Sequence, residues 1–321
     1  MATRRAWFGY KHPDWVNNTS NPPLRMRGVM EGFVKEYDLF GNEIIHDVLL
    51  RDKFIEPPFS VLDTKQGGWQ KRKKQWNNLG IKSEVGREAK VNANLRPIKG
   101  NRDRFKDKQT SIFDPALCEV LYHWFCPEGG MILDPFAGGS VRGIVANKLG
   151  YKYTGFDIRQ EQIDSNREQA ANILPVNNQP NWYVGDSNKL LNDAVREYDF
   201  MFSCPPYADL EVYSDMDGDI SNMNYADFLT AYRSIIAKSC GVLKNGAFAC
   251  FVVGDVRGKD GNYIGFVSDT IKAFEACGMG FYNEAILLNQ LGNAAMRASC
   301  VFPKSQKLVK VHQNIVVFKK Q

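Results

Sequence analysis

The sequence predicts a doubly wound α/β fold, in which helices cover a mostly parallel sheet. Residues 131–133 form a short apolar run, which is followed by a glycine-rich turn and by a helix whose apolar face begins at Val141. Residues 151–156 repeat the apolar run, and a second helical segment begins near Arg159. Because a strand, a helix and a strand in this order need a crossover connection, the strands are predicted to be parallel.

The remaining elements bring the predicted sheet to seven strands. The first helix before the sheet is predicted to begin at Asp114, an N-cap residue that is followed by Pro115 at the first helical position. Ser140 is predicted to cap the helix after the glycine turn. The 321 residues, 44% of them hydrophobic, are enough for one large core. The predicted strands cover residues 131–134, 151–156, 181–184, 198–203, 247–253, 281–288 and 314–318, and further helices cover residues 224–242 and 265–278.

The composition argues against an exported, membrane-spanning or zinc-binding protein. No uninterrupted apolar run approaches 18 residues, and no charged start precedes an apolar leader. The seven cysteines are odd in number and form no C-x-x-C pair, which argues against a disulfide framework and a zinc site. We therefore expect a soluble, cytoplasmic protein with reduced thiols, no metal and no membrane partner, whose oligomeric state the sequence does not indicate.

Positive charge is concentrated in one segment of the chain. Residues 64–110 contain 14 Lys and Arg against four acids, a net charge of +10, whereas the rest of the chain carries −5. Tryptophans are interleaved with these cations, which suits a polyanion that has faces for stacking. We predict that residues 1–110 form a basic arm; a solvated charge run is the alternative. Its predicted contacts are Trp69, Lys71, Arg72, Lys73 and Lys74.

The turn after residues 131–133 is typical of a cofactor loop. Its glycines leave backbone N–H groups open to a small polar ligand at a helix N-terminus. A dinucleotide loop needs glycine at three positions of G-x-G-x-x-G, but Ser140 stands at the middle one, between Gly138 and Gly143. The run Asp134-Pro135-Phe136-Ala137-Gly138-Gly139-Ser140 instead resembles the D-P-F-x-G-x-G element of the S-adenosylmethionine-dependent amino-methyltransferases of DNA.

This resemblance implies S-adenosylmethionine as the cofactor and gives roles to polar residues at successive strand ends. The glycine loop would approach the methionine portion, and Asp186 would accept the adenine amino group. Asp157 can accept ribose hydroxyls, as an acid does in any doubly wound nucleotide site. For each acid, capping of the next helix is the alternative. The predicted cofactor-binding residues are Phe113, Asp134, Pro135, Phe136, Ala137, Gly138, Gly139, Ser140, Asp157, Asp186 and Ser187.

A second motif, Ser203-Cys204-Pro205-Pro206-Tyr207, follows the fourth predicted sheet strand. It resembles the [D/N/S]-P-P-[Y/F/W] motif of the same family, in which a polar side chain and a loop carbonyl accept hydrogen bonds from the target amine. The aromatic residue stacks on a base swung out of the duplex. Cys204 departs from the pattern because a thiol is a weak acceptor. Since cysteine is nearly isosteric with the serine of N4-cytosine enzymes, N4 of cytosine is favoured over N6 of adenine. All five residues are predicted to be catalytic.

Together, these features predict a site-specific DNA methyltransferase that modifies the exocyclic amine of a flipped base in double-stranded DNA. Three alternatives remain: an RNA methyltransferase, a C5-pyrimidine methyltransferase that uses Cys204 as nucleophile, and a catalytically silent nucleic-acid-binding module. The basic arm argues against a protein glutamine amide as substrate. The segment 289–312, with Arg297 and three lysines but no acid, could also face DNA.

The predicted domains are a DNA-binding and target-recognition arm, residues 1–110, and a methyltransferase domain, residues 111–321, with a seven-stranded Rossmann-like sheet. The resemblance covers the second domain. Residues 54–110 look like the leading segment of bacteriophage members of the family, which implies a bacterial host cell as the location.

Overall fold

The strands and helices of the computed structural model follow the alternation seen in the sequence. The structure describes residues 50–81, 113–193, 197–206, 218–258 and 260–321, so predictions on residues 1–49 and 82–112 lie outside it. The strands are β1 (Val61–Asp63), β2 (Met131–Asp134), β3 (Lys152–Asp157), β4 (Asn181–Val184), β5 (Tyr198–Ser203), β6 (Leu243–Val253), β7 (Met279–Leu288) and β8 (His312–Lys320). The helices are α1 (Leu50–Phe54), α2 (Gly67–Asn78), α3 (Pro115–Phe125), α4 (Val141–Lys148), α5 (Gln160–Ile173), α6 (Ser187–Leu190), α7 (Tyr225–Gly241), α8 (Phe266–Glu275) and α9 (Ala294–Ser305), with 3-10 turns at Leu191–Asp193 and Ile220–Asn222.

These strands form one sheet in the order β1-β7-β8-β6-β5-β2-β3-β4. β8 is antiparallel to its neighbours β6 and β7, and the other pairs are parallel. The chain runs outward from β2 to β4 and returns with β5 on the other side of β2, so the strand order reverses between β2 and β5. A ligand crevice is expected beyond the carboxyl ends of the strands at this reversal.

The predicted fold class, a doubly wound and mostly parallel α/β sheet, is confirmed. The predicted count of seven strands is wrong, because β1 pairs with β7 and adds an eighth strand at the edge. β1 has only three residues, too few for an alternating pattern to mark a strand. It follows Pro57 and Pro58, which disfavour a helix but do not by themselves indicate a strand.

Side-chain caps set the starts of α3 and α7, and the cap of α3 is at the predicted position. The Asp114 carboxylate accepts a hydrogen bond from the Ala116 N–H at 3.0 Å, with Pro115 at the first helical position of α3. The Asn224 side chain caps α7 in the same way. The predicted cap at Ser140 is wrong, because its hydroxyl donates to Gln169 Oε1 at 2.9 Å instead of bonding to the first turn of α4.

Apolar side chains fill both faces of the sheet. One core contains Leu117 of α3, Ile144 of α4 and Ile163 of α5, and the other contains Phe228 of α7 and Phe274 of α8. Together they fix the positions of the strand ends. Among the described residues no helix is long and apolar enough to cross a membrane.

Residues before the predicted domain boundary at 110 also pack on this sheet. In α2, Trp69 is 2% exposed and Trp76 is 7% exposed. The Trp76 indole donates to Glu119 of α3 at 2.7 Å, and the Arg72 guanidinium pairs with the same carboxylate at 2.7 Å. β1 and α2 are therefore built into the same unit as the sheet, while the division at residue 110 stays a prediction.

Candidate active site

A cavity of about 880 Å³ opens at the carboxyl ends of the parallel strands. This volume lies in the upper part of the range of about 300–1,000 Å³ for small-molecule sites. One side is formed by the segments that follow β2, β3 and β4, and we call it the donor side. The opposite side is formed by the segments that follow β5, β6 and β7 and by the start of β8. The donor-side lining includes Pro135, Phe136, Gly138, Gly139, Asp157, Ile158, Asp186 and Ser187.

The glycine loop brings backbone rather than side chains to the donor side. Gly138 has φ of +51°, a left-handed conformation that L side chains rarely adopt. Its carbonyl accepts a hydrogen bond from the Asn166 amide of α5 at 2.7 Å. The Ala137 N–H donates to the carbonyl of Phe156 in β3 at 2.9 Å. The loop is thus held from both sides, and a ligand can approach its backbone closely.

Two of the predicted acids reach the donor side from adjacent strands. Asp157 ends β3, and its carboxylate accepts the Arg159 N–H at 2.9 Å. Asp186 follows β4 and accepts the Asn188 N–H at 2.8 Å, so it also caps α6. Each carboxylate thus accepts a backbone hydrogen bond and still lines the cavity, but only Asp186 caps the next helix, and the predicted cofactor contacts of both acids stay predictions. Ser187 lines it too, while its hydroxyl donates to the Pro135 carbonyl at 2.6 Å.

Asp134, the third predicted acid, does not present its side chain to the cavity. It is fully buried and accepts hydrogen bonds from Arg142 Nε at 2.5 Å, Tyr153 Oη at 2.6 Å and Ser203 Oγ at 2.5 Å. These four side chains, which we call the buried carboxylate cluster, lie at the base of the cavity, and Arg142 is the one of them that also belongs to its lining. Ala137 and Ser140 are also buried behind the lining. The side chains of Asp134, Ala137 and Ser140 are therefore not part of the cavity lining, which corrects any cofactor contact through these side chains, whereas a contact through the loop backbone stays a prediction.

Arg142 is the residue that sequence analysis missed in this cluster. Its side chain is 6% exposed, and its Nη2 donates to the carbonyls of Phe136 and Ala137 at 2.7 Å each. Its guanidinium carbon lies 4.7 Å from the centre of the Phe113 ring, which lines the cavity. Burial alone would lower the pKa of Arg142, but the Asp134 carboxylate outweighs it and raises that pKa. Arg142 is thus a permanent cation that ties the glycine loop to the end of β2.

The proline motif borders the same cavity as the glycine loop, because β5, which precedes it, pairs with β2. Cys204, Pro205 and Pro206 line the cavity. Ser203 does not, since it is fully buried and its hydroxyl is bonded to Asp134. Its predicted contact with a substrate is therefore corrected to a contact within the buried carboxylate cluster. Tyr207 lies outside the described residues.

Further polar residues complete the side opposite the donor side. Asp255 follows β6, and Asn289 and Gln290 follow β7, so the strand-end rule that singled out the other acids could have found them. His312 and Gln313 begin β8 and line the same region, because this antiparallel strand starts where the others end. The direction of β8 is a property of the sheet that its own sequence does not display.

The predicted nucleic-acid contacts of α2 divide into exposed and internally bonded residues. Lys71 and Lys74 are exposed. Arg72 is paired with Glu119, and Lys73 lies 3.1 Å from Asp114 while lining the cavity. The prediction that Trp69 stacks on a ligand is wrong, because its ring is buried and its indole donates to Asp114 at 3.1 Å. Arg297 of α9 is exposed and lines the cavity.

Comparison with known proteins agrees with the class that these residues define. Residues 50–168 match the family model of the DNA methylases; this is less than half of the chain and ends before the proline motif. No curated protein matches the chain.

Three solved structures illustrate the similarity. The chain resembles TrmN of Thermus thermophilus at 12% identity, covering 65% of this chain and 49% of that one, with a TM-score of 0.43. It resembles a TehB-like SAM-dependent methyltransferase of Corynebacterium glutamicum at 18% identity, covering 66% and 90%, with a TM-score of 0.40. It resembles the magnesium protoporphyrin IX methyltransferase of Synechocystis PCC 6803 with bound SAM at 13% identity, covering 60% and 71%, with a TM-score of 0.39. At such scores, these structures carry no argument about this chain.

The family match supports a methyltransferase whose cofactor is S-adenosylmethionine. The donor side fits that group chemically. A glycine backbone lies beside two carboxylates at successive strand ends, which suits a ligand with a cationic amino acid portion, a ribose and an adenine. Among the described residues no group of three or more His, Cys, Asp or Glu could hold a metal ion.

Proposed function

We propose that this chain is a DNA methyltransferase that transfers a methyl group from S-adenosylmethionine to the exocyclic amine of a base displaced from the duplex. One observation carries the proposal: Cys204, Pro205 and Pro206 line the same cavity as the glycine loop, Asp157 and Asp186. A donor and an acceptor amine can therefore meet in one enclosure. The family match to DNA methylases supports DNA as the substrate class.

Different residues of this cavity would position the cofactor and the target amine. When bound, S-adenosylmethionine supplies a methyl group on a positively charged sulfur. Asp157 would hold the ribose hydroxyls and Asp186 the adenine amine, while the glycine loop holds the amino acid portion. Cys204 and the carbonyls of the proline motif would accept hydrogen bonds from the target amine and keep its lone pair directed at the methyl carbon. Methyl transfer needs in-line alignment at about 3 to 3.5 Å, so rigid prolines are suited to this role.

A flipped base accounts for the size and polarity of the side opposite the donor side. An amine inside a duplex cannot reach an enclosed methyl group unless the nucleotide is extruded. Asn289, Gln290 and Gln313 line this side and carry both donors and acceptors, which suits the edge of a base. N4 of cytosine stays favoured over N6 of adenine, on the near-isosteric relation of cysteine to serine.

A second candidate function is methylation of a pyrimidine ring carbon. It is favoured by one observation: Cys204 lines the same cavity as the buried Arg142 guanidinium, and its charge contributes to raising the pKa of Arg142. A neighbouring cation stabilises a thiolate, which is the form that attacks a ring carbon. RNA methylation and DNA binding without catalysis are the remaining alternatives.

One incubation separates these functions. The protein is incubated with S-adenosylmethionine labelled in the methyl group and with unmethylated mixed-sequence duplex DNA, single-stranded DNA or RNA, and the products are digested to nucleosides. We expect label in N4-methyldeoxycytidine or in N6-methyldeoxyadenosine. Label in 5-methyldeoxycytidine would support the second candidate, and label in ribonucleosides would support an RNA substrate. The absence of any labelled nucleoside would contradict all three methyltransferase functions and would leave DNA binding without catalysis. The bacteriophage type and the bacterial cytoplasm remain predictions from the sequence.

A further inference from the structure

Helix α9 differs from the other long helices because its surface is not covered by the part of the chain that the structure describes. Ala294 is its one buried residue, whereas Met296, Val301 and Phe302 are 54%, 38% and 47% exposed. A helix of this length in a folded domain normally buries an apolar stripe. The apolar side chains of α9 therefore lie at a surface that is open within the described part of the chain.

The charge on and after this helix has one sign. Residues 289–313 contain Arg297, Lys304, Lys307 and Lys310 and no Asp or Glu. Beside them, the Arg257 guanidinium stacks on the Tyr263 ring at 4.1 Å, and Lys310 Nζ lies 5.8 Å from the same ring. The nearby acids among the described residues are Asp255, which lines the cavity, and Asp260. The pKa of Asp260 is lowered mainly by hydrogen bonds from Asn262 and to a smaller extent by the charge of Lys307. Among the residues that the structure describes, the cations thus outnumber the acids at this edge of the cavity.

Helical periodicity puts two of these cations on one face of α9. Arg297, Val301 and Lys304 are related by i, i+4 and i+7, and Cys300 lies between them. All four are exposed, and we call them the α9 face. Arg297 also lines the cavity, so this face borders its mouth. At 1.5 Å per residue, Arg297 and Lys304 are about 10 Å apart along the helix, which corresponds to about three phosphate steps of one DNA strand.

We propose that the α9 face is the surface on which double-stranded DNA lies when a base enters the cavity, with Arg297 and Lys304 on phosphates about three steps apart along one strand and Val301 against the sugars. This inference rests on the proposed function and names the surface that serves it. Charge complementarity selects DNA over a second copy of the chain, because two such faces would bring like charges together. Exposed apolar residues are useful there, since a duplex with a displaced base offers unstacked, apolar surface.

The first measurement is the salt dependence of DNA affinity. Binding of a fluorescent mixed-sequence 40-base-pair duplex is followed by anisotropy between 50 and 200 mM salt. The double variant Arg297→Gln/Lys304→Gln should reduce the slope of log K against log salt by about 2, since each phosphate contact contributes about 0.9. The matched control is Lys148→Gln/Lys152→Gln, two exposed cations in α4 and at the amino end of β3 that do not line the cavity, whose slope should equal that of the wild type. Equal slopes for both double variants would overturn the proposal.

The second measurement uses Cys300, the one exposed thiol among the seven cysteines. Saturating duplex should slow its alkylation several-fold, and Cys300→Ser identifies the site. An alkylation rate of Cys300 that is unchanged by saturating DNA would overturn the proposal. Protection of Cys300 that increases with protein concentration in the absence of DNA, together with a doubled mass in light scattering, would also overturn it, because this indicates self-association. DNA methylation measured in parallel separates the two levels of inference. If the wild type methylates DNA but the Arg297→Gln/Lys304→Gln variant has an unchanged salt slope, only the proposal for the α9 face is rejected. If the wild type neither binds nor methylates DNA, the proposed function is rejected as well.

Discussion

The buried ion pair between Arg142 and Asp134 allows a quantitative test of how the site is held together. Replacing Arg142 with methionine keeps much of the volume but leaves the Asp134 carboxylate without its cation in a fully buried position. Removing one partner of such a pair typically costs about 3–5 kcal/mol. Ser203, Tyr153 and the Phe136 N–H still donate to the carboxylate, so we expect the lower end, about 3 kcal/mol.

Urea unfolding, followed by tryptophan fluorescence, measures this change. Tyr153→Phe is the matched control, because it removes one neutral donor from the same carboxylate and should cost about 1–2 kcal/mol. In the double variant Asp134→Asn/Arg142→Met no charge remains, and it should recover about 2 kcal/mol of the loss caused by Arg142→Met alone. Two results would refute the view that an unpaired buried charge causes most of this loss. One is a loss of unfolding free energy below about 1 kcal/mol in Arg142→Met, and the other is a loss in the double variant that equals the sum of the losses of its two single variants.

The same variant should also affect the cofactor. Arg142 donates to the carbonyls of Phe136 and Ala137, so without it the glycine loop is less ordered before binding. Ordering the loop on binding then costs free energy and makes binding less favourable, so we expect S-adenosylmethionine affinity in calorimetry to fall about tenfold. Unchanged affinity in a folded Arg142→Met protein would mean that the loop is held by its backbone contacts alone.

Three further predictions address the motif, the basic helix and the buried thiols. Cys204→Ser should keep or raise DNA methylation, measured by transfer of labelled methyl, if residue 204 accepts a hydrogen bond from an amine; a nucleophilic thiol would instead be lost completely. Lys71→Gln/Lys74→Gln should lower the salt slope of DNA binding by at most about 2, and an unchanged slope would exclude this part of α2 from the interface. Burial, followed by the Asp199 charge, raises the pKa of Cys126 from 9.0 to about 12. Its neutral thiol therefore stabilises the fold below pH 9, and that contribution is lost as the pH rises from 9 to 12, by up to about 1.4 kcal/mol per pH unit. Urea midpoints measured across this range should fall less steeply in Cys126→Ala than in the wild type and in the exposed control Cys300→Ala.

Much of the fold was predictable because its signals are local. The apolar runs of β2 to β8 and the cap at Asp114 are each visible within about ten residues. The strand-end rule then brought Asp157, Asp186 and Cys204 to one crevice, and the structure has all three in the lining of one cavity.

The errors arose where a long-range partner decides the role of a side chain. The sequence marks Trp69 as an aromatic residue among cations, but Asp114, 45 positions later, draws its indole into the core. Ser203 stands in the proline motif, yet its hydroxyl bonds to Asp134, 69 positions earlier. The strand β1 is too short to be recognised until β7 is present to pair with it.

The sequence alone therefore determined the class of fold, the order of the strands along the chain and the set of polar residues at their ends, because hydrophobic periodicity and turn chemistry act over short distances. Only the tertiary structure decided which of those residues face the cavity and which support it from beneath. A buried carboxylate needs hydrogen-bond donors from several elements at once. For this reason the Ser203 hydroxyl and the Arg142 guanidinium point to Asp134 in the interior. The exposure of α9 was likewise decided by packing, since its sequence contains apolar residues that could equally have been buried.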